Sequence, residues 1–191
     1  MRFLEDKATL EKILMARENL TKDQITDYSH RIISTLFKLA VFKESKTLMT
    51  YISSDHEVNA DEILNNSFES KKKLIVPSID FEKGNINIIN VKNNSELLKN
   101  KDKSFFIEND YKIVKKVDIN DIDLIILSGL AFDIRGRLIG YRFYKDLINE
   151  IKEKPPIIGL AYDFQILNRI SSEASIALMD YIITEKRVIV R

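Results

Sequence analysis

Six short apolar segments recur along the chain, and most of them are separated by stretches whose apolar residues follow helical spacing. The segments lie at 47–52, 73–77, 84–91, 123–127, 156–160 and 181–184. The alternating Ile and Asn of 84–91 indicate a half-exposed strand, whereas the other segments have the continuous apolar character of strands buried on both faces. The pattern predicts a three-layer α/β fold, with a mainly parallel sheet of about five or six strands and helices on both faces.

The stretches between these segments carry helix signals. Residues 1–20 place apolar side chains at helical intervals, and Thr21 to Gln24 has the form of a capping box that would begin a second helix. Further helices are predicted to begin near Asn59 and to cover Tyr141–Ile151. Because there is no internal repeat and no linker rich in Pro, Gly or Ser, residues 1–191 are predicted to form a single domain.

The composition argues against several functional classes. With 30 basic and 29 acidic residues, the net charge is only +1, so no global charge favours binding to nucleic acid or to an anionic membrane. The chain has no cysteine, which excludes disulfides, thiolate nucleophiles and zinc sites built from cysteine. Its two histidines, His30 and His56, are far apart in the sequence and argue against a histidine-rich metal site.

The sequence also gives an expectation for the cellular compartment. The amino-terminal segment is charged every few residues, unlike a secretory signal peptide. No apolar run approaches the roughly 18 residues that span a bilayer. The expected location is therefore the cytoplasm.

Ligands of parallel α/β proteins bind in the loops that follow the carboxyl ends of the strands. Three such loops contain unusual polar residues: 53–58, 128–146 and 162–165. In the second, Gly129 and Gly136 permit tight turns. Its three arginines (Arg135, Arg137 and Arg142) offer donors to phosphate, and Asp146 offers a carboxylate to magnesium. The commoner explanation of such a pattern is a solvated basic loop followed by a helix with an acidic first turn, and the pattern alone leaves both open.

The same stretch resembles the signature of the 5-formyltetrahydrofolate cyclo-ligases. Residues 123–138 are DLIILSGLAFDIRGRL and are followed by Tyr144 and Asp146, while the family has an apolar strand, G-L-A-F-D and then G-x-R-L-G-x-G-x-G-Y-Y-D. Further blocks resemble the family in the same order: Lys7 with Leu10 and Arg17, TYISSDHEV at 50–58, KLIVP at 73–77, Phe106–Glu108, Gly159–Gln165 and Ile182–Glu185. By the order and spacing of these blocks, the chain is identified as a divergent member of this family.

The resemblance implies an enzyme that uses ATP and Mg²⁺ to cyclise 5-formyltetrahydrofolate to 5,10-methenyltetrahydrofolate. It also implies a Rossmann-like version of the three-layer fold, similar to that of ribose isomerases and CoA transferases. The expected partners are the reduced folate and ATP, without nucleic acid or membrane, and the expected state is a monomer or weak homodimer.

Residues at matching positions take the family's roles as expectations. ATP is expected to contact Lys7, Arg137, Arg142, Tyr144 and Lys145. The folate is expected to contact Ile52, Glu57, Gly140 and Tyr144. The Glu57 carboxylate would accept from the pterin's amine and ring N–H groups. Arg137, Arg142 and Asp146 are the expected catalytic residues, and Asp146 is the expected magnesium ligand.

Several of these positions also have a purely structural interpretation. A lysine such as Lys7 on a surface helix is usually solvated, and Glu57 could be an exposed loop acid. Ile52, at a strand end, is the kind of residue that more often belongs to the core. Tyr51, Phe132 and Tyr162 are most simply interpreted as core aromatics.

The chain departs from the family pattern at several expected ligand positions. Three loop glycines fall on Ile139, Tyr141 and Phe143, where a Cβ obstructs the approach of backbone N–H groups to phosphate. Glu11 stands in place of an arginine, and Ile176 in place of an aspartate expected to help bind magnesium. Two alternatives therefore stay open: a non-catalytic member that binds a folate or nucleotide, and an enzyme acting on another pterin carrier.

Overall fold

The computed structural model describes residues 7–80, 85–92, 118–140 and 142–191. Within them the chain forms α1 (Lys7–Glu18), α2 (Lys22–Leu36), α3 (Ala40–Glu44), α4 (Asp61–Glu69) and α5 (Phe143–Glu150). Short 3-10 turns cover Ile119–Asp121 and Asp163–Gln165. None of the described helices has the length and apolar character needed to cross a membrane. The block Phe106–Glu108 lies outside the described residues.

The strands are short, and most follow the predicted segments. In chain order they are β1 (Thr47–Met49), β2 (Lys73–Asp80), β3 (Asn85–Val91), β4 (Leu124–Leu127), β5 (Ala131–Asp133), β6 (Arg137–Ile139), β7 (Ile157–Leu160), β8 (Ile166–Leu167), β9 (Ala177–Leu178), β10 (Tyr181–Ile183) and β11 (Val188–Val190).

Seven strands form the main sheet in the order β11-β10-β7-β4-β1-β2-β3. The inner strands are parallel, and the edge strands β3 and β11 run antiparallel to their neighbours. All six predicted segments contribute to this sheet, which confirms the mainly parallel α/β fold. The additional strand, β11, was not predicted from the sequence.

The inner strands are buried on both faces of the sheet. Leu48 and Leu124 face a core formed with α2, α3 and α4. Their neighbours Met49 and Ile125 face a second core, formed with α5 and a smaller sheet. Because successive side chains of a strand point to opposite faces, burial on both sides explains why these strands are apolar at consecutive positions.

Local sequence fixes the starts of two helices that cover the first face. Thr21 Oγ1 accepts from Gln24 N at 3.2 Å and Gln24 Oε1 accepts from Thr21 N at 2.9 Å, so the predicted capping box of α2 is confirmed. α4 begins at Asp61, whose backbone N–H donates to Asn59 Oδ1 at 2.8 Å. The predicted helix start near Asn59 is therefore also confirmed.

The segment 128–146 is not the continuous loop that the sequence predicts. β5 and β6 form an antiparallel hairpin, which pairs with β8 and β9 in a four-stranded sheet. Asp133 holds the turn, since its Oδ1 accepts from the backbone N–H groups of Arg135 and Arg137 at 2.9 Å each. Gly136 follows with a φ of +85°, which favours glycine. The loop prediction was wrong because the turn residues are conspicuous, whereas the strands beside them have only three residues each.

Lys72, directly before β2, is anchored to the carboxyl end of α3. Its Nζ donates to the backbone oxygens of Phe42 at 2.8 Å and Lys43 at 3.2 Å, and also to that of Ser45. Burial lowers the pKa of Lys72, and the negative charge of Asp123 opposes this shift. The lysine thus satisfies carbonyl groups that the end of a helix leaves without helical partners.

Lys72→Met should lower the free energy of unfolding by about 1.5–3 kcal/mol, because these carbonyls lose a charged donor while most of the aliphatic chain is kept. Urea denaturation measures the loss. Lys43→Met removes an exposed ammonium from the same surface and is the control, with an expected change below about 0.5 kcal/mol. Equal effects of the two substitutions would contradict the anchoring role of Lys72.

Candidate functional site

Three loops meet beyond the carboxyl ends of β1, β4 and β7. Ser128, directly after β4, donates from Oγ to Glu57 Oε1 at 3.0 Å. Tyr162, which follows β7, donates from its hydroxyl to the backbone oxygen of Glu57 at 2.8 Å. The loop after β1 therefore contacts the start of 128–146 and the start of 162–165, as predicted, with Glu57 at the point of contact.

The Glu57 carboxylate is buried and hydrogen-bonded, and the residue is only 4% exposed. Besides the Ser128 hydroxyl, the backbone N–H of Ser54 donates to Oε2 at 3.0 Å. The Nη2 atom of Arg17 lies 3.8 Å from Oε1. Since a carboxylate accepts about four hydrogen bonds, this set leaves capacity for further donors. The interpretation of Glu57 as an exposed loop acid is wrong.

Two buried tyrosines fix the backbone beside this carboxylate. Tyr51 donates to the backbone oxygen of Val58 at 2.8 Å, and Tyr162 to that of Glu57. Burial raises the pKa of Tyr51 well above its ordinary value, with the charge of Glu57 adding to the effect. Burial also raises the pKa of Tyr162 to about 12, although a hydrogen bond with Ser29 opposes the rise. Both phenols are therefore neutral donors at physiological pH, and their prediction as core aromatics is confirmed.

The amino-terminal helix reaches this site through Arg17. The Arg17 side chain is 13% exposed, and its Nε donates to the backbone oxygen of His56 at 3.3 Å. The Lys7 side chain is instead 91% exposed and pairs with Glu11 at 3.6 Å. The structure thus brings Arg17, and not Lys7, to the carboxylate, and the contact of Lys7 with ATP stays a prediction.

The basic residues expected to bind phosphate lie on the β5–β6 hairpin and at the start of α5. Arg137 is half-buried, and its Nη1 donates to the backbone oxygen of Ile170 at 2.7 Å, which uses one of its five N–H donors. Arg142 occupies the N-cap of α5, and Lys145 and Asp146 follow in its first turn; all three are exposed. In the described part of the chain no hydrogen bond or ion pair joins them to Glu57, so their membership of the same site stays a prediction.

Three other expected ligand-binding residues are packed into the fold. Tyr144 is 3% exposed and packs from α5 into the core that this helix forms with the two sheets. Ile52 is half-buried and packs against the opposite core. At Gly140 a Cβ would lie 3.3 Å from Gly129 Cα, so the close approach of these two segments favours glycine. Packing accounts for these three residues, and their ligand contacts stay predictions.

Asp146 is the expected magnesium ligand, and Ile176 replaces its partner. A Cβ on Gly140 would lie 3.6 Å from Ile176 Cδ1, which places this aliphatic side chain beside the hairpin, where it cannot ligate. The described residues contain no group of three or more His, Cys, Asp or Glu side chains that could hold a metal ion. A single exposed carboxylate still fits magnesium, which is commonly held by one or two carboxylates together with nucleotide phosphates.

Three depressions in the described surface lie away from Glu57. One of 430 Å³ lies between α2 and the 184–188 turn, and others of 480 and 370 Å³ lie near the amino ends of β1 and β2. None of the three is lined by Glu57, Arg137 or Asp146. The candidate site therefore rests on converging polar groups and not on the volume of a cavity.

Arg17, Ser54 and Ser128 complete the site but are not among the predicted ligand-binding residues. Serine is so common in loops that neither serine carries a signal of its own. Arg17 did carry a sequence signal, because it follows the helical spacing of the apolar residues Leu10 and Ile13. A cation in such a stripe marks a charge that faces the protein interior.

Comparison with known proteins gives concordant matches over nearly the whole chain. The model of the 5-formyltetrahydrofolate cyclo-ligase family matches residues 4–185. The mitochondrial 5-formyltetrahydrofolate cyclo-ligase of Arabidopsis thaliana is 29% identical over 210 residues, covering 96% of this chain and 74% of the plant protein. The solution structure of 5,10-methenyltetrahydrofolate synthetase from Aquifex aeolicus matches with a TM-score of 0.73 and 26% identity, over 96% of this chain and 91% of that one. The Mycoplasma pneumoniae synthetase shares the fold, with a TM-score of 0.72 and 18% identity over 94% and 98% of the two chains.

Proposed function

Because the chain belongs to the 5-formyltetrahydrofolate cyclo-ligase family of enzymes, we propose that it catalyses the ATP- and Mg²⁺-dependent conversion of 5-formyltetrahydrofolate to 5,10-methenyltetrahydrofolate. The observation that supports this activity best is the buried carboxylate of Glu57, placed beyond the carboxyl ends of the strands. Such a group suits a ligand that presents neighbouring N–H donors, as a reduced pterin does.

In the proposed complex Glu57 orients the folate. Its carboxylate accepts from the pterin's exocyclic amine and ring N–H, while Ser54 and Ser128 hold the two carboxylate oxygens in place. Ile52 and Gly140 would line the pterin site. The two anchoring tyrosines keep the backbone of this turn fixed, so little ordering is needed when the ligand binds.

The reaction then depends on alignment and positive charge. The formyl oxygen attacks the γ-phosphorus of ATP and ADP leaves. N10 of the folate next bonds to the activated formyl carbon, the phosphate departs with the former formyl oxygen, and the N10 proton is lost. Because negative charge is carried by the transferring phosphoryl group, the main contributions expected from the protein are nearby cations and correct positioning. Arg137, Arg142 and Lys145 supply these cations, and Lys7 and Tyr144 are further proposed nucleotide contacts.

Asp146 is the proposed magnesium ligand. Magnesium, when bound with ATP, supplies further positive charge to the phosphates. The Asp146 carboxylate is exposed and close in sequence to Arg142 and Lys145, so the basic residues and the acid would meet the nucleotide from the same turn of α5.

The proposal is tested by following the absorbance of the methenyl product with purified protein, 5-formyltetrahydrofolate, ATP and Mg²⁺. We expect product only when ATP and the metal are both present. Parallel titrations with Mg-ATP and with the folate separate the outcomes. Binding of both ligands without product would contradict the proposed activity.

A non-catalytic family member is the second candidate, and two observations favour it. Ile176 beside the hairpin removes a carboxylate expected near magnesium. The Ile139 backbone oxygen accepts from Leu130 N at 2.8 Å within the hairpin, so this position belongs to a strand and not to an open glycine loop. Folate binding without ATP binding would support this second candidate.

Arg142→Ala should weaken ATP binding by about 10- to 150-fold, because a charge-assisted phosphate contact contributes about 1.5–3 kcal/mol. Wild-type affinity should also fall as ionic strength rises, since exposed side-chain charge is screened by salt. ATP titrations of both proteins at two salt concentrations measure these effects. Arg31→Ala, at an exposed arginine on α2, is the control. Equal affinity in all conditions would show that arginine does not replace the missing glycine amides.

A further inference from the structure

Arg17 joins the amino-terminal helix to both the main chain and the side chain of the Glu57 turn. Its Nε donates to the backbone oxygen of His56 at 3.3 Å, and its Nη2 lies 3.8 Å from Glu57 Oε1. The two side chains are 13% and 3% exposed, so this ion pair is largely shielded from water. A pair in such surroundings is screened far less than a surface pair.

The conformation of the turn makes this double contact possible. His56 has a φ of +64°, in the left-handed region, where histidine is among the better tolerated residues after glycine. The backbone N–H of Glu57 donates to the backbone oxygen of Asp55 at 2.8 Å and to the backbone oxygen of Ser54 at 3.2 Å. These two hydrogen bonds close the turn. The left-handed conformation of His56 thus allows its backbone oxygen to accept from Arg17 while the turn stays closed.

The neutral donors alone do not compensate the burial of a carboxylate charge. Ser54 N–H and the Ser128 hydroxyl each fix one oxygen of Glu57, but neither carries a charge. Arg17 brings a positive charge to the Ser128 side of the carboxylate. A buried carboxylate that loses its cation is strongly destabilised. A rotation toward water would relieve that cost, so the cation favours the buried orientation.

We propose that Arg17 is a positioning residue, which holds the Glu57 carboxylate in the orientation that receives the pterin. This inference rests on the proposed function, because it assigns Arg17 a role in folate binding. Through Arg17, the position of α1 controls the geometry of the pterin site. We therefore expect substitutions of Arg17 to weaken the binding of the folate and to leave the binding of the nucleotide unchanged.

The test compares Arg17→Gln and Arg17→Lys with Lys12→Gln, which changes an exposed cation on the same helix. We expect Arg17→Gln to raise the KM for 5-formyltetrahydrofolate about 10-fold and the KM for ATP less than about twofold, with partial rescue by Arg17→Lys. The control should leave both constants unchanged. When Glu57 is already replaced by Gln, Arg17→Gln should raise the KM for 5-formyltetrahydrofolate by less than about a further twofold, because the carboxylate that Arg17 positions is gone.

Equal rises in both KM values, or a full effect in the Glu57→Gln background, would overturn the positioning role. A double-mutant cycle that compares the melting temperatures of the same variants tests the inference without measuring turnover. We expect the double variant to lose less stability than the sum of the two single losses, and additive losses would overturn the coupling. Absence of folate binding by the wild type would instead refute the proposed function, while the melting cycle would still report on the Arg17–Glu57 pair.

Discussion

Glu57→Gln is expected to raise the KM for 5-formyltetrahydrofolate about 100-fold or more while changing the KM for ATP little. The substitution would remove or weaken the two proposed charge-assisted hydrogen bonds to the pterin, at about 1.5–3 kcal/mol each. Glutamine keeps the size of the side chain and one acceptor oxygen, which can still receive the Ser54 N–H. The Ser128 hydroxyl can reverse its role and accept from the amide, so the turn should persist. A pterin N–H donor, however, would face an amide NH₂ group.

The control for this experiment is Glu62→Gln, at a half-exposed acid on α4 that pairs with His30. It removes the same charge from a nearby surface and should change neither KM. Steady-state kinetics with each substrate varied in turn give both constants, and calorimetric titration with the folate gives the affinity directly. An unchanged folate affinity in Glu57→Gln would show that the pterin is held elsewhere.

The layered fold follows from the sequence because strands buried on both faces are apolar at consecutive positions. Leu124 to Leu127 pack alternately against the two cores, so every position had to be apolar and the run was recognisable. The capping box of Thr21 and Gln24 was equally readable, because both partners are local in sequence. Features set by contacts within a few residues, or by burial of a whole segment, were therefore predictable.

Long-range polar contacts were not predictable in the same way. The bond between Ser128 and Glu57 joins residues 71 positions apart, and the contact of Arg17 with His56 spans 39 positions. Neither partner's local sequence specifies the other, and only the order of strands in the sheet brings them together. The family resemblance located Glu57 without indicating that α1 would supply its cation.

The hairpin of β5 and β6 shows why the G-L-A-F-D block needs its last residue. Asp133 is fully buried, and its Oδ1 accepts from two backbone N–H groups of the turn. Its Oδ2 accepts from Ile170 N at 2.7 Å, and the Ile170 oxygen in turn accepts from Arg137. The aspartate therefore joins the hairpin to the 170 segment and holds the backbone of a proposed phosphate ligand.

Asp133→Ala should cost about 3–5 kcal/mol of stability, because three backbone donors lose their acceptor in a buried turn. For a chain of this size that loss corresponds to a fall of roughly 10 °C in Tm. Asp133→Asn keeps one acceptor oxygen and should lose less, about 1–3 kcal/mol. Asp55→Ala, at an exposed aspartate in the loop after β1, is the matched control and should lie within about 0.5 kcal/mol of wild type. Calorimetry gives the Tm of each variant and urea denaturation gives its free energy of unfolding, so together they rank the variants by stability. If Asp133→Ala were as stable as the control, the hairpin would not depend on this carboxylate, and the retention of the G-L-A-F-D aspartate would need an explanation in ligand binding.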